Sequence, residues 1–386
     1  MHLQLKNIGQ ITDADIRFGD LTVFVGPQAT GKSIAFQFLK LLLDLGHIQE
    51  EMIKYGVDWS GELPKFFDVY FGEGMHGLWR GGESDVSWAG RPVNLPGLIG
   101  RMRRNKTESS FYVPAQRVLT LRNGWPRPFS DYSSGDPFVV AEFSEKIRVL
   151  VEREFGDQVT LFPQPRRLKK EFREMLERSV FRSFGLEIDR SSPQKRLVLR
   201  TGADDGSLPY MVWSAGQREF VPLLLGFYWL LPPTKMTRRR EIEWVVLEEL
   251  ETGLHPRAID ALLLMTLELV ARGYRVCLST HSTQVLEALW VIRRLGANRG
   301  SPQSLLRVFE APQTQPMQKL AGTVMSKSIR IYYFDPETGK TKDISALDVD
   351  GEEAGEDGWG GLSEFSGRAN TAVAMAVANA RRRENR

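Results

Sequence analysis

Gly26-Pro27-Gln28-Ala29-Thr30-Gly31-Lys32-Ser33 reads G-x-x-x-x-G-K-S, the spacing of a phosphate-binding loop. Glycines at these offsets let the backbone curl so that successive N–H groups face phosphate oxygens. Lys32 then reaches the β- and γ-phosphates, and the Ser33 hydroxyl can join a Mg²⁺ shell. The flanks agree with that reading. Leu21-Thr22-Val23-Phe24-Val25 is a buried-strand pattern entering the loop, and Ile34 to Leu45 is an apolar, helix-favouring run leaving it. The phosphates would sit on a helix N-terminus, where free N–H groups and the dipole favour anions. The candidate nucleotide-binding set is therefore Gly26, Pro27, Gln28, Ala29, Thr30, Gly31, Lys32, Ser33 and Ile34.

The chain has 386 residues, enough for a sizeable core divided into two lobes. A net charge of +3 is too small to indicate a nucleic-acid binder by itself. The single cysteine, Cys277, lies in an apolar run and reads as a core residue. One cysteine cannot form an intrachain disulfide, which fits a cytoplasmic location. No secretory signal opens the sequence, and no apolar run is long enough to span a membrane, so no membrane partner is expected.

Upstream of the loop, Leu3-Gln4-Leu5 and Asp15-Ile16-Arg17-Phe18 alternate like half-buried strands. Downstream, residues 47–110 lose clear periodicity and read as an insertion ending in the basic patch Arg101, Arg103, Arg104 and Lys106. Ser110-Phe111-Tyr112-Val113 is a strand. Gln116 and Arg117 follow it, at the sheet edge where ligands bind; either could sense Mg²⁺ or the attacking water, and Gln116 is the candidate Mg²⁺ contact. Residues 119–137 read as a loop, and helical patterns follow near 138–155 and 167–184. Arg166, Arg167, Lys169, Lys170 and Arg173 read as a solvated face or as a phosphate-backbone surface. Glu187–Thr201 has the pattern of a hairpin.

Ser214-Ala215-Gly216-Gln217 opens a long helix from Gln217 to about Leu231, giving a second anion-binding helix start. Glu241 to Leu247 is a strand ending in Glu248-Glu249. Two carboxylates after an apolar run call for a cation. Glu248 can hold Mg²⁺, and Glu249 can orient and polarise the attacking water. After a turn and the helix Arg257–Ala271, the strand Tyr274–Ser279 ends in Thr280-His281-Ser282, which puts His281 at the edge shared by Lys32 and Glu249. Gln284–Leu295 reads as a helix. Leu305–Phe309 and Ile329–Phe334 read as strands, the second turning at Asp335–Lys340 into Thr341–Ile344. Residues 350–361 read as an acidic, Gly-rich loop and Thr371–Arg386 as a helix.

In this order the motifs resemble an ABC-type ATPase of the group containing SMC, RecF and overcoming-lysogenization-defect proteins. Ser214-Ala215-Gly216-Gln217 departs by one alanine from the group's L-S-G-G-Q signature. Glu248-Glu249-Leu250-Glu251-Thr252-Gly253-Leu254-His255-Pro256 is similar to E-E-P-E-x-x-L-H-P, with leucine for proline. The resemblance implies an α/β P-loop NTPase with an ABC-type ATPase head, a mixed central sheet, a helical signature lobe and an insertion. It divides the chain into 1–46 and 111–135 of the ATPase lobe, the insertion 47–110, the helical lobe 136–235, the returning lobe 236–345 and a C-terminal loop and helix 346–386.

The resemblance also implies ATP and Mg²⁺ as cofactors, with Ser33, Glu248 and Gln116 on the metal and Glu249, His281 and Lys32 as the catalytic set. Ser214, Ala215, Gly216 and Gln217 would contact ATP on a second copy, making a homodimer that could build into a larger assembly. It is closest to stand-alone anti-phage ATPases working with a separate nuclease or toxin effector. The alternatives are a RecF-like DNA-repair ATPase that binds DNA and, with less in its favour, the nucleotide subunit of a transporter.

Overall fold

Leu21–Val25 is buried along its whole length, as a strand covered on both faces must be. In the computed structural model, which describes residues 1–156, 158–191, 194–201, 206–232 and 238–346, this strand lies inside a six-stranded sheet. The order is Thr341–Asp343, Ile329–Phe334, Leu21–Val25, Arg275–Ser279, Trp244–Glu248, Ser110–Val113. All neighbours pair in parallel except the edge strand Thr341–Asp343, so the sheet is mixed. The strand ending in His281 thus separates the loop strand from the strand ending in Glu248-Glu249.

Alternate residues of these strands feed two cores. Val23, Val245, Leu247, Val276, Leu278 and Ile331 join the core that holds the helices Ala215–Leu230 and Pro256–Ala271. Phe24, Tyr112, Val246, Cys277 and Phe334 face the helix Lys32–Lys54 and an antiparallel sheet. Phe24 stacks on Phe36 with ring centroids 4.1 Å apart. That antiparallel sheet has the order Ile11–Arg17, His2–Ile8, Asp85–Trp88, Arg91–Pro92. A third sheet, Ser207–Pro209, Arg196–Thr201, Phe184–Asp189, Thr160–Phe162, backs the signature helix.

The hairpin expected across 187–201 is present, with Phe184–Asp189 antiparallel to Arg196–Thr201. Leu305–Phe309 is not a strand: Pro302–Val308 is a helix. Ser301 accepts the Ser304 N–H at 3.2 Å, and Pro302 occupies the first helical position, so the start signals outweigh the short apolar run. A further helix, Gln315–Val324, follows. The aperiodic segment after residue 47 also has structure. The first helix continues to Lys54, Leu63–Tyr70 is helical, and Asp85–Trp88 pairs with His2–Ile8. Residues 350–361 and 371–386 lie outside the described residues.

One buried ionic cluster fastens the first helix to the helix Phe138–Val149. Lys40, with no exposed surface, lies 2.9 Å from Glu142 Oε2 and 3.4 Å from Asp44 Oδ2. His47 Nε2 is 3.1 Å from Glu142 Oε1, and Lys146 pairs with both Glu142 and Glu108. His47, Glu108 and Glu142 could offer ligand atoms to a metal. The two ammonium groups already on those carboxylates explain the cluster without one. Asp44 breaks the helical dihedrals and accepts the N–H and Oγ–H of both Ser109 and Ser110, tying the helix to the start of the Ser110–Val113 strand.

Burial pushes the Glu142 carboxyl up, but Lys146, Lys40 and His47 outweigh it and hold the group well below its ordinary 4.5. Its contribution to stability is therefore present above about pH 4.5 and lost as pH falls toward the depressed value. Lys40→Met, which leaves buried carboxylates uncompensated, should cost about 3–5 kcal/mol in urea unfolding at pH 7. The difference from wild type should shrink as the pH is lowered below 4; an equal deficit at every pH would show that the loss is one of packing.

Candidate functional site

The phosphate loop is built by backbone geometry. Gly26 and Gly31 hold φ of 138° and 97°, and Ala29 sits at 59°. A Cβ on Gly31 would come within 2.5 Å of Ile11 Cγ1, so only glycine allows this approach as well as this dihedral. Thr30 Oγ1 donates to the Pro27 carbonyl at 2.9 Å and closes the loop. Lys32 is the first residue of the helix, with Gly31 as its cap. Its Nζ donates to the carbonyls of Gly26 at 2.8 Å and Pro27 at 2.6 Å. Burial pulls its pKa down to about 8, against the opposing pull of Glu249, Glu248 and Glu251. A desolvated ammonium among curled N–H groups is an anion receptor. Gln28 and Ala29 are exposed at the loop tip, and Ile34 is buried on the helix.

The parallel register brings the other groups to the same edge. Glu248 lies beside Ser279, and Ser279 beside Phe24. Glu248 is 2% exposed, and its Oε2 accepts the Ala115 N–H at 3.2 Å. Burial raises its pKa, opposed by the hydroxyls of Ser33 and Tyr112 and by that N–H. Its Oε1 is buried without a hydrogen-bond partner. A carboxylate oxygen left bare beside a serine hydroxyl at the start of a phosphate loop suits a divalent cation with oxygen ligands.

Glu249 holds φ of 44°. Its N–H donates to the Ser279 carbonyl at 3.0 Å, and Thr252 Oγ1 donates to its Oε2 at 3.4 Å. Its Oε1 lies 3.3 Å from His281 Nε2, and this histidine contact is the main cause of its lowered pKa. Glu249 is therefore ionised at neutral pH. Gln116 is exposed and stands at the cap position of a short 3₁₀ turn, Arg117–Thr120, with no side-chain cap bond.

Three residues with bonds at this edge were not in the expected catalytic, binding or metal set. Glu251 Oε1 accepts Thr280 Oγ1 at 2.8 Å and the His281 N–H at 2.6 Å, so it holds the loop that carries the histidine. The third carboxylate of the E-E-L-E run was the signal for it. Arg117, which follows Gln116, is fully buried behind Glu248 and Glu249, bonded to the carbonyl of each. Tyr112 backs Glu248 from the neighbouring strand.

The signature motif forms a capping box. Ser214 Oγ accepts the Gln217 N–H at 3.3 Å, and Gln217 Oε1 accepts the Ser214 N–H at 2.9 Å. Ser214 and Ala215 are exposed at the helix N-terminus. Gly216 lies against the turn that follows Glu249: a Cβ there would fall 2.8 Å from the Gly253 carbonyl oxygen. His255 caps the next helix by accepting the Arg257 N–H at 3.3 Å.

Residues 129–287 match the family model "AAA domain, putative AbiEii toxin, Type IV TA system". That span holds Ser214–Gln217, Glu248-Glu249 and His281. Among solved structures, an SMC head bound to the C-winged helix domain of ScpA is 12% identical, with TM-score 0.41, over 74% of this chain and 90% of that one. The SMC head domain from Thermotoga maritima is 16% identical, with TM-score 0.32 and the same coverages of 74% and 90%. A dimeric post-hydrolysis ATP-binding cassette bound to ADP and Pi is 11% identical, with TM-score 0.34, over 88% of this chain and 98% of that one. No curated protein shows significant similarity to the chain. The motif order, the sheet with the phosphate loop at its edge and the partial family match fit a P-loop nucleotide-binding fold.

Lys32→Ala should weaken ATP binding by about 100-fold or more, since it removes charge-assisted bonds to phosphate. It should not lower the thermal midpoint, because the ammonium is desolvated in the folded chain. Isothermal titration and a melting scan check the pair; a variant that unfolds early would show that Lys32 supports the fold instead.

Proposed function

We propose that this protein binds and hydrolyses ATP as a homodimer and serves as a switch for a separate effector in anti-phage defence. The observation that carries the reading is the division of the site. Lys32, Ser33, Glu248, Glu249 and His281 gather at one sheet edge, whereas Ser214 and Ala215 stand exposed on a helix start packed behind Glu249. A two-fold pairing of copies would bring each helix start to the other copy's phosphate loop. The surface beside the signature supports this. Met211 and Val212, just before Ser214, are 71% and 62% exposed, a small apolar pair that a second copy could cover.

In this reading the loop amides and Lys32 hold the phosphates. Ser33, Glu248 and Gln116 would hold Mg²⁺, which would supply positive charge against the phosphates. Glu249 would align a water with the γ-phosphorus and accept its proton as the water–phosphorus bond forms and the bond from that phosphorus to the β,γ-bridging oxygen breaks, the oxygen leaving with ADP. His281 steadies Glu249 and meets the γ-phosphate. Hydrolysis removes the group that both copies hold, and the dimer loses its hold.

The defence role is drawn from the matched family, whose description names a putative toxin and a toxin–antitoxin system. A DNA clamp has less support. Arg167 pairs with Glu154, Lys169 with Glu268 and Lys170 with Glu174, while Lys106 pairs with Glu50. Arg167 and Lys169 are the more buried of these and are tied to the chain's own carboxylates.

Glu249→Gln should cut ATP turnover about 10²- to 10⁴-fold while keeping ATP bound, and should run as a dimer in ATP by light scattering. A variant that turns over at the wild-type rate would remove Glu249 from the chemistry. Separately, Val212→Glu should abolish ATP-dependent dimerisation and leave ATP binding to the single chain within roughly threefold, since it would bury an unpaired charge in the interface. Dimerisation at wild-type concentrations in that variant would mean that this face stays uncovered.

A further inference from the structure

Arg117 has no exposed surface, so its charge must be met inside the protein. Its Nη1 donates to the Glu248 carbonyl at 3.0 Å and its Nη2 to the Glu249 carbonyl at 3.0 Å. Its Nε donates to the Glu219 carbonyl at 3.1 Å, and Nη2 lies 3.3 Å from Glu219 Oε2. One rigid guanidinium plane therefore spans the end of the Glu248 strand and the first turns of the helix Ala215–Leu230. Gly216, on the same helix, approaches the turn after Glu249 so closely that a Cβ there would fall 2.8 Å from the Gly253 carbonyl oxygen. The helix start and the carboxylate-bearing segment are bonded through Arg117 and lie in close approach at Gly216.

The fastening matters because Glu249 is held in an unfavourable conformation. Its φ of 44° is in the left-handed region, which a glutamate rarely adopts. Its N–H is pinned by the Ser279 carbonyl, and its C=O accepts both the Thr252 N–H at 3.1 Å and Arg117. If the guanidinium shifts, the C=O keeps only the bond from its own turn, and the hold that sets the strained residue against the signature helix is lost. The carboxylate then swings away from His281 and the line of attack.

We propose that Arg117 is a positioning residue that couples the two nucleotide sites of the dimer. ATP of one copy, resting on Ser214 and Gly216 of the other, sets that helix start. Through Glu219 and Arg117 the setting reaches Glu249 of the same chain, which acts on the second ATP. This rests on the shared-site reading above. It adds the bonded route by which one site informs the other, and it makes hydrolysis conditional on engagement of the signature helix.

The test uses the full chain with Arg117→Lys, Glu219→Gln and both together, measuring hydrolysis against ATP concentration, ATP binding and melting. Lysine keeps the charge but cannot bridge three carbonyls. Wild-type turnover should rise sigmoidally with ATP. Arg117→Lys should lower kcat about 10²-fold, the loss that misplacing a catalytic group by about 1 Å produces. ATP binding should stay within roughly threefold, and the Hill coefficient should fall to about 1. Glu219→Gln, which keeps shape and the main-chain bond, should lose the sigmoidal response with a smaller drop in kcat. The double variant should be no slower than Arg117→Lys alone, because both act on one route.

A folded variant with wild-type kcat and Hill coefficient, or losses that multiply in the double variant, overturns the coupling. If Arg117→Lys does not fold, Glu219→Gln decides by the same readouts. A wild type that binds ATP without hydrolysing it overturns the underlying reading, and the coupling with it. A wild type that hydrolyses ATP beside indifferent variants overturns the coupling alone.

Discussion

A carboxylate buried at the end of an apolar strand is the constraint around which this molecule is arranged. Glu248 has almost no exposed surface, and one of its oxygens has no hydrogen-bond partner. Burial raises its pKa, and a cation beside it would favour the ionised form. The same edge carries the curled loop, the Ser33 hydroxyl, the Ala115 N–H and the buried Lys32 ammonium, donors and acceptors for an anion and a cation together. The parallel sheet makes this gathering unavoidable. Its strands end together, so residues far apart in sequence emerge side by side.

Two polar joints then hold the lobes around their apolar cores. At the far end of the first helix, the cluster of Lys40, Asp44, His47, Glu108, Glu142 and Lys146 joins that helix to Phe138–Val149. Phe143 of the latter packs under Gly226 of the signature helix. At the near end, Arg117 and the Gly216–Gly253 contact join the signature helix to the carboxylate-bearing turn. Apolar packing alone would let the lobes slide, since dispersion is not directional. Matched buried charges fix the register, at the cost of their desolvation.

Much of this was legible in the chain. Gly26–Ser33, the apolar run before Glu248-Glu249 and the run before His281 carry their own structural context, because fully buried parallel strands are apolar on both faces. Ser214 and Gln217, three residues apart, are a capping pair that sequence spacing shows directly. Arg117 was less readable. Following a strand end, it reads as facing the ligand, whereas the fold buries it behind the carboxylates on three carbonyls that lie far away in sequence. Glu251 was hidden for the same reason, since its partners lie across the sheet on Thr280 and His281. The helix Pro302–Val308 was misread because a short apolar run does not distinguish strand from helix, and the deciding cap lay one residue upstream of the proline.

The account stands on one nucleotide being shared by two copies. A cryo-EM map of the full chain carrying Glu249→Gln, saturated with ATP and Mg²⁺, addresses it directly. The account requires the Ser214 hydroxyl and the Gly216 amide of one copy to lie within hydrogen-bond distance of the γ-phosphate held by Lys32 of the other. A map with ATP in the phosphate loop and Ser214 facing solvent, in a monomer or in any other pairing, would contradict it.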